Sequence, residues 1–178
     1  SAGVVISASH NPVEQNGIKF FGPEGMKLPQ TIEEEIERLA DPRPEDTIPN
    51  VVRPSAKPGR IMDGRGMHEL YLEGLLAEHH DLRLDRLTLV VDCANGAASE
   101  YAPELFARAG ADVVAIHASP TGLNINVNAG SENVRQRPGR MKDLIRSYHA
   151  NFGLAFDGDA DRVIFVDQNG GVVDGDHM

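Results

Sequence analysis

The chain has 178 residues, 40% of them hydrophobic, with 17 basic against 27 acidic side chains and a formal net charge of -10. That length and apolar content suit one domain with a real core, or two small ones, and exclude a disordered chain. The acidic balance excludes a nucleic-acid or membrane-surface binder working through a basic stripe, but not a small phosphorylated ligand, for which a few local cations suffice.

The run Val4-Val5-Ile6 predicts a buried strand that Pro12 forbids from continuing, and it ends by presenting Ser7, Ser9 and His10 together. Asn16-Gly17 and Gly22-Pro23 are turn signals around a second short strand, Ile18 to Phe21, which carries Lys19. TIEEEIERLA predicts a helix with a Thr31/Glu34 capping box and an apolar face of Ile32, Ile36 and Leu39. Residues 41–60 hold five of the 11 prolines and read as an extended connector with a short strand around Val51-Val52. A helix is expected from Gly66 to His79, with Met67, Leu70, Tyr71 and Leu75 on one side.

From residue 87 the pattern becomes strand (LTLVVD), turn (CANGAA), helix (SEYAPELFARAGA), strand (ADVVAIH), which is a βαβ unit with a parallel pair. Pro103 fits the first turn or so of that helix and Gly110 its end. RMKDLIRSYHA predicts a helix with Met141, Leu144, Ile145 and Tyr148 facing inward. FGLAFD and RVIFVD are strands around the loop DGDAD, and Asn169-Gly170-Gly171 turns the second into Val172-Val173. The class is α/β, two units joined near residue 82, with mixed, largely parallel sheets. The single cysteine, Cys93, follows a buried strand as a core thiol, and it precludes an internal disulfide. With no apolar run of about 20 residues and no basic leader, a cytoplasmic protein is expected.

DGDADR, residues 157–162, carries the most informative chemistry. Carboxylates at i, i+2 and i+4 in a tight loop between apolar strands repel one another unless a cation joins them, and hard oxygens favour Mg²⁺ or Ca²⁺. A calcium hand starting at Asp157 would need Gly and Glu where Arg162 and Gln168 stand. A solvated acidic turn is the alternative; against it, Gly158 and Ala160 permit close approach of ligands, and Arg162 stands ready for an anion. Magnesium takes phosphate oxygens beside one or two carboxylates, and a phosphorylated serine loop would supply them. Three aspartates and such a phosphate exceed one Mg²⁺ by roughly three negative charges, with Lys19 and Arg162 as the available counter-charges.

ISASHNP, NGIKFF, DCANGA, GLNIN, DGDADR and VVDGD, in this order, resemble the α-D-phosphohexomutases over essentially the whole chain. The resemblance implies that Ser9 is a phosphoserine that gives its phosphate to a sugar phosphate and takes back the other one from a bisphosphate intermediate. It implies Asp157, Asp159, Asp161 and the phosphate on Ser9 as Mg²⁺ ligands, Lys19 in proton transfer, and His10 and Arg162 beside the phosphate. GLNIN is similar to the branch that interconverts glucosamine 6- and 1-phosphates on the route to UDP-N-acetylglucosamine; AGSENVRQRPGR departs from that branch's Gly-Ser-Thr-His pattern. The alternatives are the glucose/mannose phosphate branch and a catalytically silent metal- and phosphate-binding domain. Family members have four domains. The resemblance therefore makes residues 1–82 the later part of a first domain, an incomplete unit (serine loop 7–12), and 83–178 a second (metal loop 157–161). The expected partners are a sugar phosphate and further domains of the same enzyme, with neither nucleic acid nor membrane; the third and fourth domains have no counterpart here, and the isolated chain is expected to be inactive.

Overall fold

Val4, Val5 and Ile6 do form a strand, β1 (Gly3–Ser7), paired with β2 (Gly17–Phe21) in a two-stranded sheet. The computed structural model describes residues 2–41, 60–173 and 175, and the chain divides into two compact units, Ser1–Ile6 with Ile18–Asp63 and Ser7–Gly17 with Gly64–Met178. In the first unit β1 is not buried: Ile6 is 69% exposed. Among the described residues this unit has two strands and one helix, too little material to cover both faces of a sheet. That helix, α1 (Gln30–Ala40), starts one residue before Thr31 with Pro29 as N-cap and no side-chain cap bond, so the expected capping box does not form. Of its apolar face, Ile32 and Leu39 are exposed and Ile36 half-buried. The strand expected at Val51-Val52 lies outside the described residues.

In the second unit the first helix is α2 (Arg65–Glu78). It buries a different face from the expected one: Met67, Leu70 and Tyr71 are exposed, whereas Leu72 is fully buried and His68 and Leu75 half-buried. A spacing of i, i+4, i+7 defines that stripe as well as the expected one, and only the neighbour decides between them. The neighbour is α3 (Ala98–Arg108): His68 stacks on Tyr101 at 4.5 Å between ring centroids and meets Glu104 Oε2 at 3.0 Å, and Arg108 bonds both Glu69 and Glu104. The boundary expected near residue 82 is not where the compact units divide, because α2 packs on α3 and so belongs with the second unit.

Around this pair lies a mixed sheet of β3 (Thr88–Asp92), β4 (Asp112–Ile116), β5 (Phe152–Phe156), β6 (Val163–Asp167) and β7 (Val172–Val173), in the order β4-β3-β5-β6-β7. β3 runs parallel to β4 and to β5, the latter pairing Val90 with Gly153, while β6 is antiparallel to β5 and to β7. The expected βαβ unit is β3-α3-β4, and Gly110, at φ 105°, ends α3. Pro103 sits one turn further inside α3 than the first turn. The long connection from β4 to β5 holds α5 (Gly139–Ser147), with Met141 and Ile145 buried as expected but Tyr148, its C-cap, exposed. It also holds α4 (Gly130–Gln136), a helix that the sequence pattern does not announce. GSENVRQ has only Val134 as an apolar anchor, too little for a periodic signal.

Alternation along β3 splits the core between two layers. Leu89, Val91 and Cys93 face α3, with Ala98 and Ala102, and Val90 faces α4 and α5, with Val134, Met141 and Ile145. The thiol of Cys93 is pushed up to about 12, by burial first and then by the Asp92 charge, which makes it an inert core group. From β3 the chain goes to β4 on one side and then to β5 on the other. The carboxyl ends of β3 and β5 therefore flank a topological switch point, the place where open α/β sheets hold ligands.

Candidate functional site

Both loops singled out by the sequence arrive at that switch point. β5 ends at Phe156 and releases Asp157, which is 1% exposed, into the acidic loop. A tight turn returns the chain at once: Asp157 N donates to Arg162 O at 3.3 Å, Ala160 N to Asp157 O at 3.1 Å, and Arg162 N to Asp157 Oδ1 at 3.2 Å. Ala160 takes a left-handed φ of 61°, which closes the turn. In consequence Asp157, Asp159 and Asp161 each bring one carboxylate oxygen within 4.8 Å of the others.

Their burial is graded from Asp157, fully inside, through Asp159 to the exposed Asp161. No hydrogen-bond donor reaches Asp157 Oδ2 although it is buried. Burial pushes the Asp157 carboxyl above the usual carboxylate range; the Arg162 amide opposes this, and the charges of Asp161 and Asp159 push it higher. Three hard oxygens, one of them buried and unsatisfied, fit a hard divalent cation, and the donor set contains no nitrogen or sulfur that would favour a softer metal.

The serine loop docks on this turn. Ser9 Oγ donates to Asp159 Oδ1 at 3.0 Å across 150 residues of sequence. Ser9 is itself left-handed, at φ 51°, and its amide donates to Ser7 Oγ at 2.9 Å, so the first serine of the pair shapes the loop and the second meets the carboxylate. Asn11 N closes the turn onto Ala8 O at 2.9 Å before Pro12.

The floor is made of backbone. A Cβ at Gly158 would stand 2.1 Å from Ser9 O, and one at Gly96 would stand 2.2 Å from Gly158 O. The turn after β3 is held open by Asp92, whose Oδ1 accepts from Ala94 N at 2.9 Å, and by left-handed Ala94 and Asn95. Asn126 spans the remaining gap: its Nδ2 donates to Ser9 O at 2.7 Å and to Asn11 O at 3.0 Å, while its amide donates to Ala94 O at 2.9 Å. By sequence alone GLNIN serves only as a branch marker. The second asparagine of that pentapeptide is its one legible hint of a loop-bridging amide.

Among the expected site residues, Ser9 and the three aspartates come together. His10 is exposed and lines a polar cleft of about 240 Å³ with Asn126, Glu132, Gln136, Arg137 and Asp157. Arg135, then Gln136, holds the Glu132 carboxyl of this cleft down at about 2, with a smaller contribution from His10. Arg162 engages the acidic loop through its backbone, while its side chain is 61% exposed, with Nε 4.0 Å from Asp161 Oδ1. Lys19 lies half-buried on β2, in the first unit.

The family described as phosphoglucomutase/phosphomannomutase, alpha/beta/alpha domain II, matches residues 69–171, and its domain I matches residues 1–45. A phosphoglucosamine mutase of Mycolicibacterium paratuberculosis is 48% identical over 99% of this chain, and one of Xanthobacter autotrophicus is 46% identical over 99%. The chain spans 37% and 38% of the length of these two relatives. Among solved structures, a phosphoglucomutase/phosphomannomutase family protein of Burkholderia thailandensis superposes with a TM-score of 0.66 at 28% identity, over 97% of this chain and 34% of that one. An N-acetylglucosamine-phosphate mutase of the α-D-phosphohexomutase superfamily, at 16% identity and a TM-score of 0.64, shares the fold over 96% of this chain and 45% of its own. A domain pattern over more than half the chain and relatives near half identity over nearly all of it agree with a serine loop docked on an acidic turn, and this chain belongs to the phosphoglucomutase/phosphomannomutase family.

Proposed function

We propose that the protein is a phosphohexomutase acting on glucosamine phosphates, and that this chain carries its phosphoryl carrier and its metal loop. The single observation behind this is the 3.0 Å hydrogen bond from Ser9 Oγ to Asp159 Oδ1. A serine hydroxyl set against three converging carboxylates suits a phosphate held beside a divalent cation, which we take to be Mg²⁺. When bound, that ion would neutralise the carboxylates and polarise a phosphoryl oxygen. The names of the two curated relatives favour glucosamine phosphate over glucose or mannose phosphate.

In this reading the P–O bond at Ser9 Oγ breaks as one forms to a sugar hydroxyl; the hydroxyl's proton passes to a base, and the departing Ser9 oxygen takes up a proton to become the serine hydroxyl. Lys19 is the candidate for that base, with Arg162 and His10 as counter-charges to the phosphate. The reverse transfer, from the other phosphate of the bisphosphate, restores the carrier. Such a step rests on positioning and charge neutralisation by the loop residues, not on new covalent chemistry from the protein. Sugar recognition is assigned to parts of the complete protein beyond this chain, so the isolated chain is expected to be inactive as a mutase. The setting is taken as cytoplasmic; among the described residues no helix is long and apolar enough to cross a membrane.

The serine loop is read as the family's first domain (1–82) and the acidic loop as its second (83–178). A match that begins at residue 69 and the packing of α2 on α3 favour an earlier boundary as the alternative reading. Comparing the unfolding of 64–178 with that of 83–178 decides it: equal Tm keeps the cut at 82, and a higher Tm for the longer piece moves it to 64. For the function, the complete enzyme is assayed with Mg²⁺ and a bisphosphate activator on glucosamine, glucose and mannose phosphates, with Ser9→Ala as control. Greatest turnover on glucosamine phosphate, lost in the control, is the expected result. Serine-dependent turnover of the neutral sugars moves the substrate, and turnover of none leaves a silent binding domain.

A further inference from the structure

We propose that Asn126 is the positioning residue that sets the phosphoryl carrier against the metal loop, an inference that rests on the function proposed above. Three observations converge on this side chain. Its Nδ2 donates to both Ser9 O, at 2.7 Å, and Asn11 O, at 3.0 Å, so one amide holds the serine loop on either side of His10. Its own backbone N donates to Ala94 O at 2.9 Å, which ties the clamp to the turn at the end of β3. A Cβ built on Gly158 would stand 3.0 Å from the same Nδ2, so the amide also borders the acidic loop. One residue thereby bonds the carrier loop and the β3 turn and borders the metal loop.

The chemistry of the two partners fixes how the amide lies. Both are carbonyl oxygens, which accept only, so the NH₂ group must face them and the Asn126 oxygen must face away. Position 126 also requires a residue tolerant of the left-handed region, with φ 59°. Asparagine meets both demands. Aspartate keeps the shape and the tolerance of φ but presents an acceptor to two acceptors.

The Ser9 carbonyl is held by the Asn126 amide, and that bond reaches from the serine loop to a different part of the unit. Ser7 Oγ and Ala8 O stabilise the loop internally, but these bonds do not anchor it to the rest of the unit. Without the clamp the loop keeps its turn and loses its place. Ser9 Oγ then no longer holds station 3.0 Å from Asp159, and any phosphate on it contributes its oxygens to the metal at a lower effective concentration.

The test uses the 178-residue chain carrying phosphoserine at position 9, titrated with Mn²⁺ followed by electron paramagnetic resonance and with Mg²⁺ by calorimetry. Asn126→Asp and Asn126→Gly are compared with the parent, with circular dichroism to verify folding. Loss of two neutral hydrogen bonds predicts on the order of tenfold weaker metal binding in both variants. It also predicts that the gain in affinity from phosphorylating Ser9 shrinks, while the metal affinity of the unphosphorylated chain changes less than about twofold. A purely structural residue would move both forms alike. Affinities within about twofold of the parent in the phosphorylated form overturn the inference, and so does loss of the folded state in both variants. Asp159→Asn is the internal control: if it too leaves metal binding unchanged, the proposed metal loop fails, whereas an effect of Asp159→Asn alone fails the clamp and spares the function.

Discussion

Gly96 and Gly158 meet backbone to backbone: a Cβ on Gly96 would lie 2.2 Å from the Gly158 carbonyl oxygen, which already accepts from Ala97 N at 2.8 Å. The turn after β3 and the acidic loop after β5 thus interlock at the switch point, and Gly158 in turn lies under Ser9. Backbone cannot retreat as a flexible side chain can, so a methyl group here must move a loop. Gly158→Ala is expected to leave the unit folded but to cost about 1–3 kcal/mol of stability. It should also detach the serine loop, seen as faster amide exchange at 7–12. Unchanged exchange there would show that the loop does not depend on this contact.

Metal binding should be visible as stability. A cation that binds only the folded chain contributes about 2.7 kcal/mol at one hundred times its Kd. For a chain of this size that raises Tm by about 5–10 °C. Asp159→Asn should abolish the rise, measured by thermal denaturation with and without Mg²⁺. An equal rise in the variant would place the ion elsewhere.

Asp157 carries its own pH signature. Its folded-state carboxyl lies above the ordinary range because of burial, so its ionised form is a cost to the metal-free fold at neutral pH. That cost is relieved as pH falls through the raised folded value, and no further gain follows below the unfolded value near 3.8. Asp157→Asn should therefore raise the Tm of the metal-free chain at pH 7, remove this component of its pH dependence and abolish the response to metal. A lower Tm for the variant at pH 7 would mean that the ionised carboxylate stabilises the fold.

Glu104 behaves in the opposite sense. His68, then Arg108, holds its carboxyl below the ordinary value, so its contribution is present above that value and is lost as pH falls through the lowered one. Acid should loosen α2 from α3 before the sheet unfolds, and amide exchange in α2 below pH 4.5 is the measurement. Glu104→Gln should flatten that pH dependence.

Leu72 tests which stripe of α2 is the packing face. Leu72→Ala removes a fully buried side chain and should cost about 2–5 kcal/mol, whereas Leu70→Ala, at a position 61% exposed, should stay within about 0.5 kcal/mol. Reversed effects in denaturant titrations would reinstate the stripe of Met67, Leu70, Tyr71 and Leu75 expected from the sequence.

Much of the site is local chemistry and therefore legible in the chain itself. Three aspartates two residues apart, with Gly158 and Ala160 between them, define a loop whose charges call for a cation wherever it folds. The runs at 88–92 and 152–156 are apolar enough to specify buried strands, whereas 112–116, expected buried as well, is an edge strand without a buried residue; the helix between 88–92 and 112–116 specifies a parallel pair. What the sequence could not decide depends on neighbours brought from far away. Whether Val4-Val5-Ile6 is buried depends on what covers its sheet. Whether α2 turns Leu70 or Leu72 inward depends on the presence of α3. Seven residues as polar as GSENVRQ become α4 because the β4–β5 connection packs Val134 under the sheet. Most of all, Ser9 and Asp159 are 150 residues apart, and no periodicity links them. Their 3.0 Å hydrogen bond exists because strand order brings the ends of β3 and β5 side by side, two glycines let the backbones touch, and Asn126 holds the serine loop down.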